Sequence, residues 1–174
     1  MLVTPRVSLR FKPGQLPPGL SFWHPIALLC TWFGSGLLPK VPGTWGSAAA
    51  LPFAAAIEWA WGAGALAVAA AVVFVVGSFC SGPFARMAGV KDPGAIVVDE
   101  VAAQWATLAT VPLDPVLYFL GFVLFRIADI LKPWPASWCD RRLSGGFGVM
   151  ADDMVAGLYA SAVMFLIRYA LGSW

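Results

Sequence analysis

The chain has 174 residues, of which 60% are hydrophobic and 11% charged, with a mean hydropathy of +0.79. Soluble domains carry about 25% charged residues, and one domain of this length has too little interior to hide so much apolar surface, so lipid must cover part of it. A net charge of +2 with no dense basic stretch excludes nucleic acid as a partner, because such binding needs clustered cations to displace phosphate counterions.

Residues 1–20 carry Arg6, Arg10 and Lys12 ahead of Pro13, Pro17 and Pro18. They read as a basic, mobile tail that can touch anionic headgroups, followed by a single membrane-embedded domain over 21–174. Residues 21–38 are uncharged and aromatic at the start, but Gly34-Ser35-Gly36 and Pro39 shorten any helix there. A span needs about 20 residues, so this segment reads as an interfacial or re-entrant helix. Lys40 to Ser47, with Pro42, Gly43 and Gly46, reads as a loop, with Ser47 as N-cap of the next helix.

Residues 48–85 hold one charge, Glu58. One straight helix over them would reach about 57 Å, far beyond a bilayer core of about 30 Å. Gly62 and Gly64 offer the break, giving a hairpin with arms near 48–61 and 65–85. A second hairpin follows over 101–111 and 116–131, split at Pro112-Leu113-Asp114-Pro115; its arms are short enough to pack partly inside protein. Residues 136–151 read as a charged, glycine-rich loop, and Asp152-Asp153 open the last helix, 153–171. The fold expected is all-α: a compact integral-membrane helical bundle with hairpins and one polar face. Each hairpin returns the chain to its starting side, so segments 39–47, 86–100 and 132–152 share a face. The basic residues gather there, which makes that face cytoplasmic.

Carboxylates gather on the same face: Asp92, Asp99, Glu100, Asp129, Asp140 and the Asp152-Asp153 pair. Near an apolar medium such groups are costly unless paired or metal-bound. Helix capping by Asp99 and Asp152, and an i,i+3 pair of Arg126 with Asp129, is the bland explanation; it does not call for two adjacent acids twice. Oxygen ligands alone suit a hard cation such as Mg²⁺, and with His24 the single histidine and no cysteine cluster, zinc is disfavoured. Arg126, Asp129 and Lys132 recur every third residue along one slowly turning helix face, where two cations can flank an acid and a phosphate; snorkelling of both cations to the interface weighs equally. Gly43-Thr44-Trp45-Gly46-Ser47 ahead of a helix could offer N–H groups and hydroxyls to an anion, or be a plain turn.

Three strings, FGSGLLPKVPGTWGS (33–47), VVDE (97–100) and FRIADILKPWPASWCDRRLSGGFGVMADDMVAG (125–157), resemble in order and spacing the signature segments of the phosphatidylglycerophosphatase A family. The likeness extends over residues 22–170. It implies a Mg²⁺-dependent bacterial lipid phosphatase that converts phosphatidylglycerol phosphate to phosphatidylglycerol, with its active site on the cytoplasmic side of the inner membrane. On that reading Asp99, Glu100, Asp129, Asp152 and Asp153 are catalytic and metal-holding, with Asp140 a sixth ligand. Gly43, Thr44, Ser47, Arg126, Lys132 and Arg141 then bind the substrate phosphate. The competing reading is a small transporter or channel with a carboxylate ion path, which needs ionisable groups at mid-membrane depth.

Overall fold

The computed structural model describes residues 14–170, which form six α-helices; no strand occurs among the described residues. In chain order they are α1 (Pro25–Cys30), α2 (Pro42–Ala88), α3 (Val98–Leu108), α4 (Pro115–Leu131), α5 (Ala136–Arg142) and α6 (Gly145–Ala170). Of the segment read as a basic tail, residues 1–13 lie outside the described residues. Leu16 and Leu20 pack against a core cluster that includes Cys30, Ile96 and Val98.

The expected first hairpin is α2. Helical geometry fails inside it at Gly62, whose φ of 83° and ψ of 170° lie in a region essentially reserved for glycine. A straight helix would hold Gly46 and Gly77 about 46 Å apart. Instead, a Cβ on Gly46 would strike Val97, and one on Gly77 would strike Met150 and come within 3.3 Å of Val98. Both arms therefore flank the start of α3, and the chain turns back at Gly62. The outer surface of the hairpin is apolar and exposed, including Trp59, Val68, Val72 and Phe79. Two helices, α2 and α6, are long and apolar enough to cross a membrane.

The short second hairpin packs partly inside protein, its first arm α3 almost wholly so. Helix α3, about 16 Å long at 1.5 Å per residue, is buried on almost every side, with Val98, Val101, Ala102, Ala103 and Leu108 fully inaccessible. Trp105 Nε1 donates to the Ala50 carbonyl (2.9 Å), and Thr107 Oγ1 donates to the carbonyls of Ala103 (2.9 Å) and Gly157 (3.2 Å). These bonds tie α3 to α2 and to α6. Helix α4 buries Tyr118, Gly121, Phe125 and Asp129, a stripe at spacings of three and four, and exposes Val116, Phe119, Ile127 and Ile130. An outward face that apolar has lipid as its natural solvent.

Three local readings need correction. The segment 40–47 is not a loop: α2 begins at Pro42, with Val41 as N-cap, so Ser47 lies in its second turn and caps nothing. Proline at the first helical position has no N–H to leave unsatisfied, which is why the helix can start there. Segment 136–151 is likewise not a loop, since it holds α5 and the first turns of α6. Asp152 and Asp153 therefore sit two turns inside α6, and Asp99 is the second residue of α3 behind Val97. None of the three is an N-cap. The carboxylate that does cap a helix is Asp114, which accepts from Val116 N (2.8 Å) and Leu117 N (2.9 Å) at the start of α4.

Candidate active site

The segments expected to share a face do meet at one end of the bundle. The start of α2, the 92–96 loop, the start of α3, the end of α4 and the third turn of α6 enclose a cavity of about 410 Å³. Six of the nine carboxylates line it: Asp92, Asp99, Glu100, Asp129, Asp152 and Asp153. Of the rest, Glu58 accepts from the Tyr118 hydroxyl (2.6 Å), Asp114 caps α4, and Asp140 pairs with Lys132 (3.6 Å). No string of acids continues from the pocket along the bundle among the described residues.

Asp99, Glu100 and Asp153 each bring a carboxylate oxygen within 4.8 Å of the other two. Asp99 and Glu100 come from the first turn of α3, whose N-terminal end favours negative charge. Asp153 enters from α6 on the buried stripe that continues through Ala156 and Ala160. Glu100 Oε2 and Asp153 Oδ2 are buried with no hydrogen-bond partner. Buried polar atoms are rarely left so, and an uncompensated buried carboxylate is costly. Three converging carboxylates, two of them with an unpartnered oxygen, fit a hard, oxygen-seeking divalent cation better than zinc, which favours nitrogen and sulfur ligands.

The cations of the pocket come from α4 and stand beside the acids. Arg126 Nη1 donates to Asp129 Oδ2 (2.6 Å), lies 3.8 Å from Glu100 Oε1, and reaches Ser47 Oγ at 3.3 Å. Lys132 closes α4 in a left-handed conformation (φ 42°), from which its ammonium pairs with Asp152. Non-glycine residues adopt that backbone at a cost, and such strain concentrates at functional sites. Gly43 and Thr44, from the segment read as a possible anion cradle, line the cavity. Gly43 has no room for a side chain, since a Cβ there would lie 2.1 Å from Glu100 Oε1 and 3.1 Å from Arg126 Nη1.

Two expected phosphate-binding residues stand apart. Ser47 donates its hydroxyl to the Gly43 carbonyl (2.8 Å), so it braces the helix start and Arg126 from behind the pocket. Arg141 is exposed on α5 and does not line the cavity. Asp140 does not line the cavity but pairs with Lys132 at its rim. The residue missing from the sequence-based site set is Asp92. Asp92 is exposed at the cavity rim, yet the protein atoms crowded around its carboxyl, and then the neighbouring Asp152 carboxylate, raise it above the usual range, against the pull of Lys132. Its signal in the sequence was its position in the Lys91-Asp92-Pro93-Gly94 turn between the two hairpins.

The fold and site define a class: an all-helical, largely apolar protein whose acidic, cation-flanked pocket opens at one end of the bundle. Comparison with known proteins sharpens this. The sequence pattern of the family described as Phosphatidylglycerophosphatase A matches residues 28–168. A phosphatidylglycerophosphatase A of Escherichia coli is 42% identical over 149 residues, covering 84% of each chain. One from Haemophilus influenzae is 40% identical over 152 residues, 86% of this chain and 93% of its own. A Bacteroides thetaiotaomicron protein with the provisional name phosphatidylinositol-3-phosphatase is 34% identical over 158 residues, 83% of this chain and 94% of its own. No solved structure matches. The chain belongs to the phosphatidylglycerophosphatase A family and is an enzyme of the phosphatase class.

Proposed function

We propose that the enzyme hydrolyses phosphatidylglycerol phosphate to phosphatidylglycerol and phosphate, with Mg²⁺ as its cation. The observation that carries this reading is the Asp99–Glu100–Asp153 cluster sharing one pocket with Arg126 and Lys132 at the end of an apolar bundle. Asp99, Glu100 and Asp153 would hold the cation, with Asp129 and Asp152 behind them. When bound, a divalent ion there would neutralise phosphate oxygens and make water a better nucleophile.

The chain's own side chains supply the rest. Arg126, held in place by Asp129, presents its guanidinium to the phosphate oxygens, where charge-assisted hydrogen bonds are strongest. Lys132 adds a second positive charge at the rim. In hydrolysis a water oxygen bonds to phosphorus, the bond to the glycerol oxygen breaks, and that oxygen needs a proton. Asp92, exposed at the rim of the same pocket, is the acid placed to relay one from solvent. Thr44 faces the same space and offers a hydroxyl to the phosphate.

Headgroup choice is the direct test. Purified enzyme in mixed micelles is expected to release phosphate from phosphatidylglycerol phosphate with a kcat/KM at least about tenfold above that for phosphatidate or phosphatidylinositol 3-phosphate, a modest discrimination for one polar headgroup. A preference for either of the others would reassign the substrate.

The same reading puts the protein in the bacterial cytoplasmic membrane with the pocket toward the cytoplasm. Lys40, Arg86, Lys91, Lys132, Arg141 and Arg142 all belong to segments at the pocket's end, and such bias marks the cytoplasmic side. Lys40→Cys, Lys91→Cys and Arg142→Cys, each in a background without Cys30, Cys80 and Cys139, should resist a membrane-impermeant thiol reagent in intact cells. Labelling of any one from outside contradicts the orientation.

A further inference from the structure

A second concavity, of about 300 Å³, lies on the outer side of α4. Leu124, Ile127 and Leu131 of α4 form one wall, Tyr159 and Val163 of α6 the other, and Pro133 closes one end. No charged side chain lines it. The polar atom of Tyr159 is already engaged, because its hydroxyl donates to the Trp134 carbonyl (2.6 Å) and leaves the ring to face the groove.

The groove and the catalytic pocket share a rim. In the run Ile130-Leu131-Lys132-Pro133, Ile130 and Lys132 line the pocket, while Leu131 and Pro133 line the groove. A molecule with its phosphate beside Lys132 thus has an apolar channel starting at the adjoining residue. From Leu131 to Leu124 the channel follows α4 for about 10 Å, within the ~15 Å depth of one leaflet of a ~30 Å hydrocarbon core. Another apolar patch, along Val68, Val72 and Val76 on α2, has no residue in common with the pocket.

We infer that the α4–α6 groove seats one acyl chain of the phospholipid whose phosphate occupies the pocket. This rests on the lipid-phosphatase reading above. Seating a chain orients the headgroup before chemistry and makes turnover depend on chain length, whereas ordinary annular lipid would give no such dependence.

The test uses the full chain in mixed micelles and two forms of phosphatidylglycerol phosphate, one with oleoyl chains and one with chains too short to reach Leu124. Val163→Trp fills the groove from its lipid-facing rim, where Val163 is 40% exposed; Ile127→Trp fills it from the other wall, should the first variant fold poorly. Val72→Trp adds the same bulk to the separate patch. The groove-filling variants are expected to lower the long-to-short ratio of kcat/KM by about tenfold, the scale of a steric mismatch in an apolar site, and Val72→Trp to leave it unchanged. A ratio unaltered in both groove variants, or lowered equally by Val72→Trp, overturns the inference. If the wild-type enzyme releases phosphate from neither lipid, the substrate assignment itself fails and takes the groove with it.

Discussion

Asp153→Asn should lower kcat by at least about 100-fold, roughly 2.7 kcal/mol of lost transition-state stabilisation. Asp99→Asn should do the same. Both residues belong to the cluster whose carboxylate oxygens lie within 4.8 Å of one another. Asparagine keeps the shape and one oxygen but removes the charge that attracts a cation. The fold should not suffer. Three carboxylates this close repel one another, so removing one negative charge should leave the Tm of the metal-free protein unchanged or raise it. Asp114→Asn is the control: Asp114 only caps α4, and asparagine caps about as well as aspartate. Loss of activity together with a lowered Tm in Asp153→Asn, or near-normal kcat at saturating Mg²⁺, would mean the cluster is structural.

Gly43→Ala should cost at least about tenfold in kcat, because a displacement of about 1 Å in a catalytic group can cost 100-fold. The added methyl would lie 2.1 Å from Glu100 Oε1, so either the start of α2 must move away or Glu100 must abandon its position beside Arg126. Gly64→Ala, in the far turn where a Cβ meets nothing within 4 Å, should leave activity intact. Kinetics on the two purified variants separate these outcomes. Wild-type turnover in Gly43→Ala would show that Glu100 can move freely without affecting the reaction.

Much of this architecture is legible from residue pattern. The long stretch 48–85, with Glu58 its one charge, exceeds any bilayer as a single helix, so a break such as Gly62 is called for by length, and two returns of the chain put the polar segments at one end. The pairing of Arg126 with Asp129 follows from helical spacing. What the pattern hides are the helix starts. Pro42 and the glycines at 145–146 look like loop residues, yet proline suits a first helical turn and Gly145 supplies the positive φ (74°) that lets α6 begin well before its acids. That displacement changes Asp152 and Asp153 from apparent caps to buried, inward-facing groups. Tertiary facts are equally invisible: nothing in the sequence says that Ser47 turns back to the Gly43 carbonyl, that Arg141 stays outside, or that the exposed Asp92 stands at the rim of the pocket.

The central claim is a cation-dependent phosphatase acting on a lipid phosphate, and one titration addresses it. Purified enzyme is stripped with chelator, placed in micelles containing phosphatidylglycerol phosphate, and assayed for released phosphate as Mg²⁺ is returned. The account predicts negligible release in chelator and saturable recovery with Mg²⁺, with the midpoint shifted to higher Mg²⁺ in Glu100→Gln. Full phosphate release in the continued presence of chelator would contradict it.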